Sequence, residues 1–349
     1  MSVWLCRNQR GWLSPGMDLV RLIQFVSLNG SRHVAALQAG DGVPVLVNNR
    51  TSVRELALEA ARSRLSLAEC VQRCGFGEKV DYDAIIREKR LLPPLDHADP
   101  SRCMIAVTGL THLGSAESRD AMHAKLAAGE LSDSMRMFKL GLDGGKPPPG
   151  SIGVQPEWAY KGDGSWAVAP EQPLTLPSYA EDGGEEAEIV GLYVIGEGGD
   201  VLRVGFCLGN EYSDHVMEQR NYLYLAHSKL RQCSYGPELL VGDLPDEVSG
   251  TVRVLRAGEA IWSGSFISGE NNMSHSIENL EHHHFKYRAF RRPGDVHVYF
   301  FGASALSFSA GVKLRGGDAF EIESPAFGRP LRNSLIEEKQ TEIVRVRPL

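Results

Sequence analysis

A chain of 349 residues, 42% apolar and 23% charged, has the composition of a globular protein with ample core. Its formal charge of −7, without any Lys/Arg-rich stretch interleaved with aromatics, argues against a nucleic-acid-binding protein. No run reaches the roughly 18–20 apolar residues that span a bilayer, and the six cysteines show neither CxxC pairs nor zinc-site spacing, which points to a cytoplasmic protein without a disulfide framework.

In chain order, "MSVWLCRNQRGWLSPGMD" lacks a continuous apolar stretch, so residues 1–16 read as a disordered extension and not as a secretory signal. Residues 17–95 read as a small α+β domain. In it "VRLIQFV" and "VPVLV" are strands, and "SVRELALEAARSRLSLAECVQRC" is helical, with Ser52 as N-cap. Pro93, Pro94 and Pro100 then punctuate the chain and set a domain boundary. Residues 96–349 open with the strand "CMIAVTGL", a helix-suited stretch around 112–129, and "RMFKLGL". The Gly/Pro-rich "DGGKPPPGSIGVQPEWAYKGDGS" reads as a long loop at the rim of a site. Strands dominate after residue 186: "EIVGLYVIG", "VLRVGFCLGN", "TVRVLRAG", "AIWSGSF", "VHVYFFGAS" and "AFEIES". One helix interrupts them, from near Asn272 through "HSIENLEHHHFKY". Strand runs with few interposed helices predict an α+β fold or β-roll, not a doubly wound sheet.

The apolar run "EEAEIVGLYVIG" begins with three glutamates. Side chains alternate along a strand, so Glu186 and Glu188 share one face and Glu185 takes the other. Alone, such a pair is most often a solvated strand end. A second acidic stretch changes that reading: "VGFCLGNEYSDH" runs as a strand and then breaks, leaving Asn210, Glu211 and Asp214 where a strand hands over to a loop or helix. Oxygen ligands with no nearby cysteine select Mg²⁺, Mn²⁺ or Ca²⁺ over zinc.

The E-x-E on a strand, the following strand ending "GNEYSD", then "LYLAHSK", "GP", "RPGDVHVYFFGAS" and "GDAFEIESPAFGRPLRN" together resemble the fumarylacetoacetate hydrolase superfamily over residues 100–335. That resemblance implies a mixed β-sandwich or β-roll catalytic domain, a homodimer or dimer of dimers, and Mg²⁺ (or Mn²⁺) held by Glu186, Glu188 and Glu211. The third ligand is usually Asp in the family, so Glu211 departs by one methylene.

The metal platform does not choose the reaction. Hydrolases of the family carry a water-activating His–Glu pair, at positions that match Ser115 and Ser118 here. The segment instead reads T-x-x-x-S-x-E-x-R (Thr111, Ser115, Glu117, Arg119), and with E-x-x-N-x-L-Y-L-x-x-x-K (Glu218, Asn221, Leu223, Tyr224, Leu225, Lys229) it is similar to the 2-keto-3-deoxy-D-arabinonate dehydratase subgroup. The resemblance implies elimination of water from a 2-keto-3-deoxy sugar acid such as 2-keto-3-deoxypentonate, giving 2-oxoglutarate semialdehyde in a non-phosphorylative route of pentose catabolism. Lys229, desolvated beside a metal and so lowered in pKa, would take the C3 proton, with Ser115 beside it. Glu117 would protonate the departing C4 hydroxyl, and Arg119, Ser304 and Lys139 would meet the substrate. Ser304 stands for a family Thr that would fall on Ala303, and Lys139 matches an "F-x-K" segment.

Two other readings compete: a hydrolase cleaving a C–C bond of a 2,4-diketo-3-deoxy sugar acid, with His112 or a metal-bound water replacing the lost pair, and a non-catalytic sugar-acid-binding protein. His112 otherwise reads as a hydrogen-bonded structural residue. His282, His283 and His284 cannot all face one ion from a helix, so that run reads as helix packing and not as a zinc site.

Overall fold

The computed structural model describes residues 21–37, 42–113, 132–303 and 305–349. The 1–16 extension, most of the helix expected at 112–129, and Ser115, Ser118, Glu117, Arg119 and Ser304 lie outside them.

The strand Ala187–Ile195 is buried at every position, because both faces of its sheet are covered. Val190, Leu192 and Val194 pack on one side with Val53, Leu56 and Val71. Ile189, Tyr193 and Ile195 pack on the other with Phe266, Leu280, Phe285 and Ile322. The period-two alternation thus feeds two cores from one strand. Antiparallel neighbours flank it, Val201–Asn210 and Val296–Ala303. The latter pairs in parallel with Cys103–Val107, which pairs with Ala159–Asp163. On the far side Leu239–Val241 joins the first strand, Arg21–Val26, so the N-terminal strands continue the same sheet of 13 strands. A second sheet of five strands is ordered Glu259–Ser268, Val248–Arg256, Asp318–Glu323, Leu331–Glu337 and Leu174–Leu176. Mixed sheets with separate helices make the α+β class expected from the strand runs.

Three local expectations are corrected. The helical stretch from residue 53 to 74 is two helices, Val53–Ser63 and Leu67–Cys74, broken where Arg64 turns left-handed (φ 55°). Ser52 occupies the N-cap position but makes no capping bond, and Gln24 Oε1 accepts from Val53 N instead (2.8 Å). The full capping box is at Ser66 and Glu69. The helix expected from Asn272 starts at Ile277, because Ser276 caps it through Asn279 N. The presumed Gly/Pro loop contains the strand Ala159–Asp163. Among the described residues no helix is long and apolar enough to cross a membrane.

Candidate metal centre

The strand pairing builds the acidic group. Glu186 immediately precedes Ala187–Ile195, and Glu188 is its second residue. Glu211 follows the adjacent strand, and its N–H donates to Glu186 O (3.0 Å), which folds it back beside the pair. One oxygen from each of Glu186, Glu188 and Glu211 lies within 4.8 Å of the others, and all three residues are buried. The alternation holds: Glu185 turns away and accepts from Ser307 N and Ser307 Oγ, both at 2.7 Å.

Carboxylates so close and so dry need cations. Lys229 Nζ lies 2.6 Å from Glu186 Oε1, 3.1 Å from Glu211 Oε2 and 3.3 Å from Glu218 Oε2. Lys161, fully buried, donates to Glu211 Oε1 (2.9 Å) and to the carbonyls of Tyr212 and Lys229. His215 places Nε2 3.2 Å from Glu186 Oε1 and Nδ1 3.5 Å from Asp182 Oδ2. Its ring fits because residue 184 is glycine: a Cβ there would lie 2.4 Å from Nδ1.

Glu188 is the member left over. Its Oε2 accepts from Gly302 N (2.7 Å), whereas Oε1 is buried without a hydrogen-bond partner. Burial and the charges of Glu211 and Glu186 hold its carboxyl well above the usual range. Burial alone would raise Glu186 too, but Lys229 and His215 outweigh it and hold it well below. An all-oxygen donor set with an orphaned carboxylate oxygen fits a hard divalent cation.

For Lys229, burial favours the neutral amine, but the carboxylates of Glu186, Glu211 and Glu218 outweigh it and hold the ammonium well above its ordinary value. The lowered pKa expected from the sequence is therefore reversed in the carboxylate field alone. Glu157, from the end of the supposed loop, has its carboxyl pushed up to about 7 by burial, with Lys229 pulling it down and Glu218, Glu186 and Glu211 pushing it further up. It fits because residue 109 is glycine; a Cβ there would stand 2.9 Å from Glu157 Oε2. Asp214 is structural: it caps His215–Arg220 through Met217 N and pairs with Arg231 (2.9 Å).

The structure brings Glu186, Glu188, Glu211, Lys229 and Glu218 together. Lys139 lies on the helix Asp133–Gly144, its side chain 49% exposed and paired with Asp143. Both ring nitrogens of His112 are engaged, Nδ1 with Thr111 Oγ1 (3.1 Å) and Nε2 with Ser268 Oγ (2.8 Å), and burial pushes its pKa down to about 4. Sequence reasoning missed Lys161, Glu157 and His215. For Glu157 and Lys161 the sequence offers only a strand-like stretch, "PEWAYKGD", with nothing in it that tells what their charges meet.

No family model matches the chain, and no curated relative matches it. The fold does have solved counterparts, at low sequence identity. In fold the chain resembles 2-keto-3-deoxy-D-arabinonate dehydratase, solved in complex with magnesium and 2,5-dioxopentanoate. The two share 17% identity and a TM-score of 0.66 over 92% of this chain and 100% of that one. A 5-carboxymethyl-2-hydroxymuconate delta-isomerase from Mycobacterium smegmatis aligns over the same shares at 16% identity and TM-score 0.55. A 2-hydroxyhepta-2,4-diene-1,7-dioate isomerase from Mycobacterium marinum gives 14% and 0.52.

Proposed function

We propose that the protein is a divalent-cation-dependent dehydratase of 2-keto-3-deoxy sugar acids, of which 2-keto-3-deoxypentonate is the leading substrate. The observation that carries this reading is a buried amine, Lys229, set among three buried glutamates, one of them with an unpartnered oxygen. Mg²⁺ held by Glu186, Glu188 and Glu211 would polarise the keto group of a 2-oxo acid and offset the carboxylate charge that now keeps Lys229 protonated.

Lys229, once neutral, is the base for the C3 proton. Glu157 is the acid for the departing C4 hydroxyl, because a carboxyl held at about 7 keeps its proton near neutrality. Glu117, expected in that role, lies outside the described residues. Lys161 holds Glu211 and the Lys229 backbone in one frame, and so positions ligand and base together. Loss of water leaves a 3,4-unsaturated 2-oxo acid; proton loss from C5 with reprotonation at C3 gives the C4–C5 enol, whose ketonisation gives 2-oxoglutarate semialdehyde. The engaged nitrogens of His112 favour this elimination over a hydrolysis that would use His112 as base.

Purified protein with Mg²⁺ and 2-keto-3-deoxypentonate should form semialdehyde, read by a coupled NAD(P)-dependent dehydrogenase. Absence of semialdehyde, with pyruvate released from a 2,4-diketo acid, would overturn the dehydratase in favour of the hydrolase.

A further inference from the structure

A cavity of about 340 Å³ opens beside the acidic centre, lined by His215, Glu218, Gln219, Tyr222, Leu306 and Phe308, with Ser134 at its edge. Its volume is at the lower end of the roughly 300–1,000 Å³ found for small-ligand sites. Two of its lining residues belong to the centre: His215 touches Glu186, and Glu218 pairs with Lys229. A ligand whose head is held by the glutamates therefore extends its tail along this wall.

One side of the wall is apolar, unlike the rest. Leu306 and Phe308 are carried at the turn Ser307–Ala310, and the Phe308 ring stands 5.2 Å from the His215 ring. The turn is pinned from behind. Glu185 and Ser307 are both buried, and Glu185 takes the N–H and the hydroxyl of Ser307, each at 2.7 Å. Burying a carboxylate is costly unless it is hydrogen-bonded, so this pair fixes the turn against the strand that carries Glu186 and Glu188. Adjacent glutamates thus serve opposite faces: Glu186 and Glu188 form the acidic centre, and Glu185 sets the distance of the wall from it.

We propose that Phe308 is a specificity-determining residue of this site, limiting how far a 2-oxo acid can extend beyond its reacting end, with Glu185 and Ser307 as the positioning pair. The proposal rests on the 2-oxo-acid reading of the glutamate centre. It is tested by titrating the protein in Mg²⁺ with 2-oxobutanoate, 2-oxopentanoate and 2-oxohexanoate by calorimetry. Phe308→Ala should improve binding of 2-oxohexanoate relative to 2-oxobutanoate by about tenfold, the scale of a methylene-sized difference in an apolar pocket. Phe308→Trp should shift the same ratio the other way, a reversal that general damage to the fold does not produce. Ser307→Ala should relax the preference only a few-fold. An unchanged ratio in both Phe308 variants overturns the proposal. A wild-type protein that binds none of the acids removes the 2-oxo-acid reading and this proposal with it. Binding with the expected ratio shift, but without dehydration of the sugar acid, removes only the dehydratase reading.

Discussion

Two buried polar clusters in this molecule solve the same problem in opposite ways. The acidic centre keeps Glu186 charged by packing Lys229 and His215 against it, and sets Lys161 and Lys229 against Glu211. The histidine cluster keeps its groups neutral. Trp158 Nε1 donates to His284 Nδ1 (3.1 Å), so Nε2 of His284 carries the proton and donates to His297 Nδ1 (3.0 Å). Burial holds His284 well below its usual value and pushes His297 down to about 4. The helix that carries the run buries Ile277, Asn279, Leu280, His284 and Phe285. His283 meets Gly153 O (3.0 Å) instead, so consecutive histidines have separate partners. A histidine run that invites a metal reading is thus packing. A glutamate pair that invites a solvent reading joins Glu211 in the one group of three suitably placed metal-binding side chains among the described residues.

The largest expected effect separates the two clusters directly. Glu188→Gln removes the carboxylate whose Oε1 has no partner, so Mn²⁺ binding, followed by electron paramagnetic resonance, should be lost. Turnover should fall by at least about a thousandfold, since the cation supplies several kcal/mol of charge stabilisation. His284→Phe should leave Mn²⁺ affinity unchanged. Retained Mn²⁺ binding in Glu188→Gln would break the contrast at its root.

Next in size is Glu157→Gln, with a drop of about a hundredfold in kcat. A carboxyl with a pKa of about 7 is protonated below that pH, so the wild-type rate should decline as pH rises through about 7. The variant should lose that alkaline limb along with its rate. A limb that survives in Glu157→Gln would assign the proton to another group.

The histidine cluster predicts a stability effect without a catalytic one. His297 has a folded pKa of about 4, below the unfolded value of about 6.5, so the unfolded chain takes up the proton first. Its contribution, roughly 3 kcal/mol for one such group, is complete above about pH 6.5 and is lost as pH falls through about 4. Urea midpoints measured across this window should fall with pH, and His297→Phe should flatten the slope. An equal slope in the variant would mean that the cluster is not the source.

What the sequence could reveal follows from how far apart partners lie along the chain. Glu186 and Glu188 are legible because strand alternation acts over two residues, and Glu185 follows by the same parity. Glu211 is legible because a strand visibly ends before it. Lys161 is not, since its partners at Glu211, Tyr212 and Lys229 are brought to it only by the sheet and the helix Leu225–Lys229. His215 is hidden differently: its place depends on Gly184 yielding room for a ring, a fact of packing and not of pattern. The break at Arg64 is masked by helical periodicity that continues across it, although Ser66 and Glu69 spell the S-x-x-E of a helix start.

The smallest effect concerns Lys139, which sequence reasoning put among the substrate contacts and which the structure places on an exposed helix face. Its ammonium pairs with Asp143 one turn away, both side chains about half exposed. Such pairs contribute about 0.3–0.5 kcal/mol, because water screens the charges and two long side chains must be held still. Lys139→Ala should therefore change stability by less than about 0.5 kcal/mol. The informative number is the Michaelis constant. A lysine that meets the substrate equally in ground and transition states raises KM on removal and leaves kcat alone. An unchanged KM is the expected result, since the buried lysines of the acidic centre already account for the cations its carboxylates touch. A several-fold rise in KM would instead show that the helix Asp133–Gly144 swings over the cavity when substrate is bound, and Lys139 would join the binding residues.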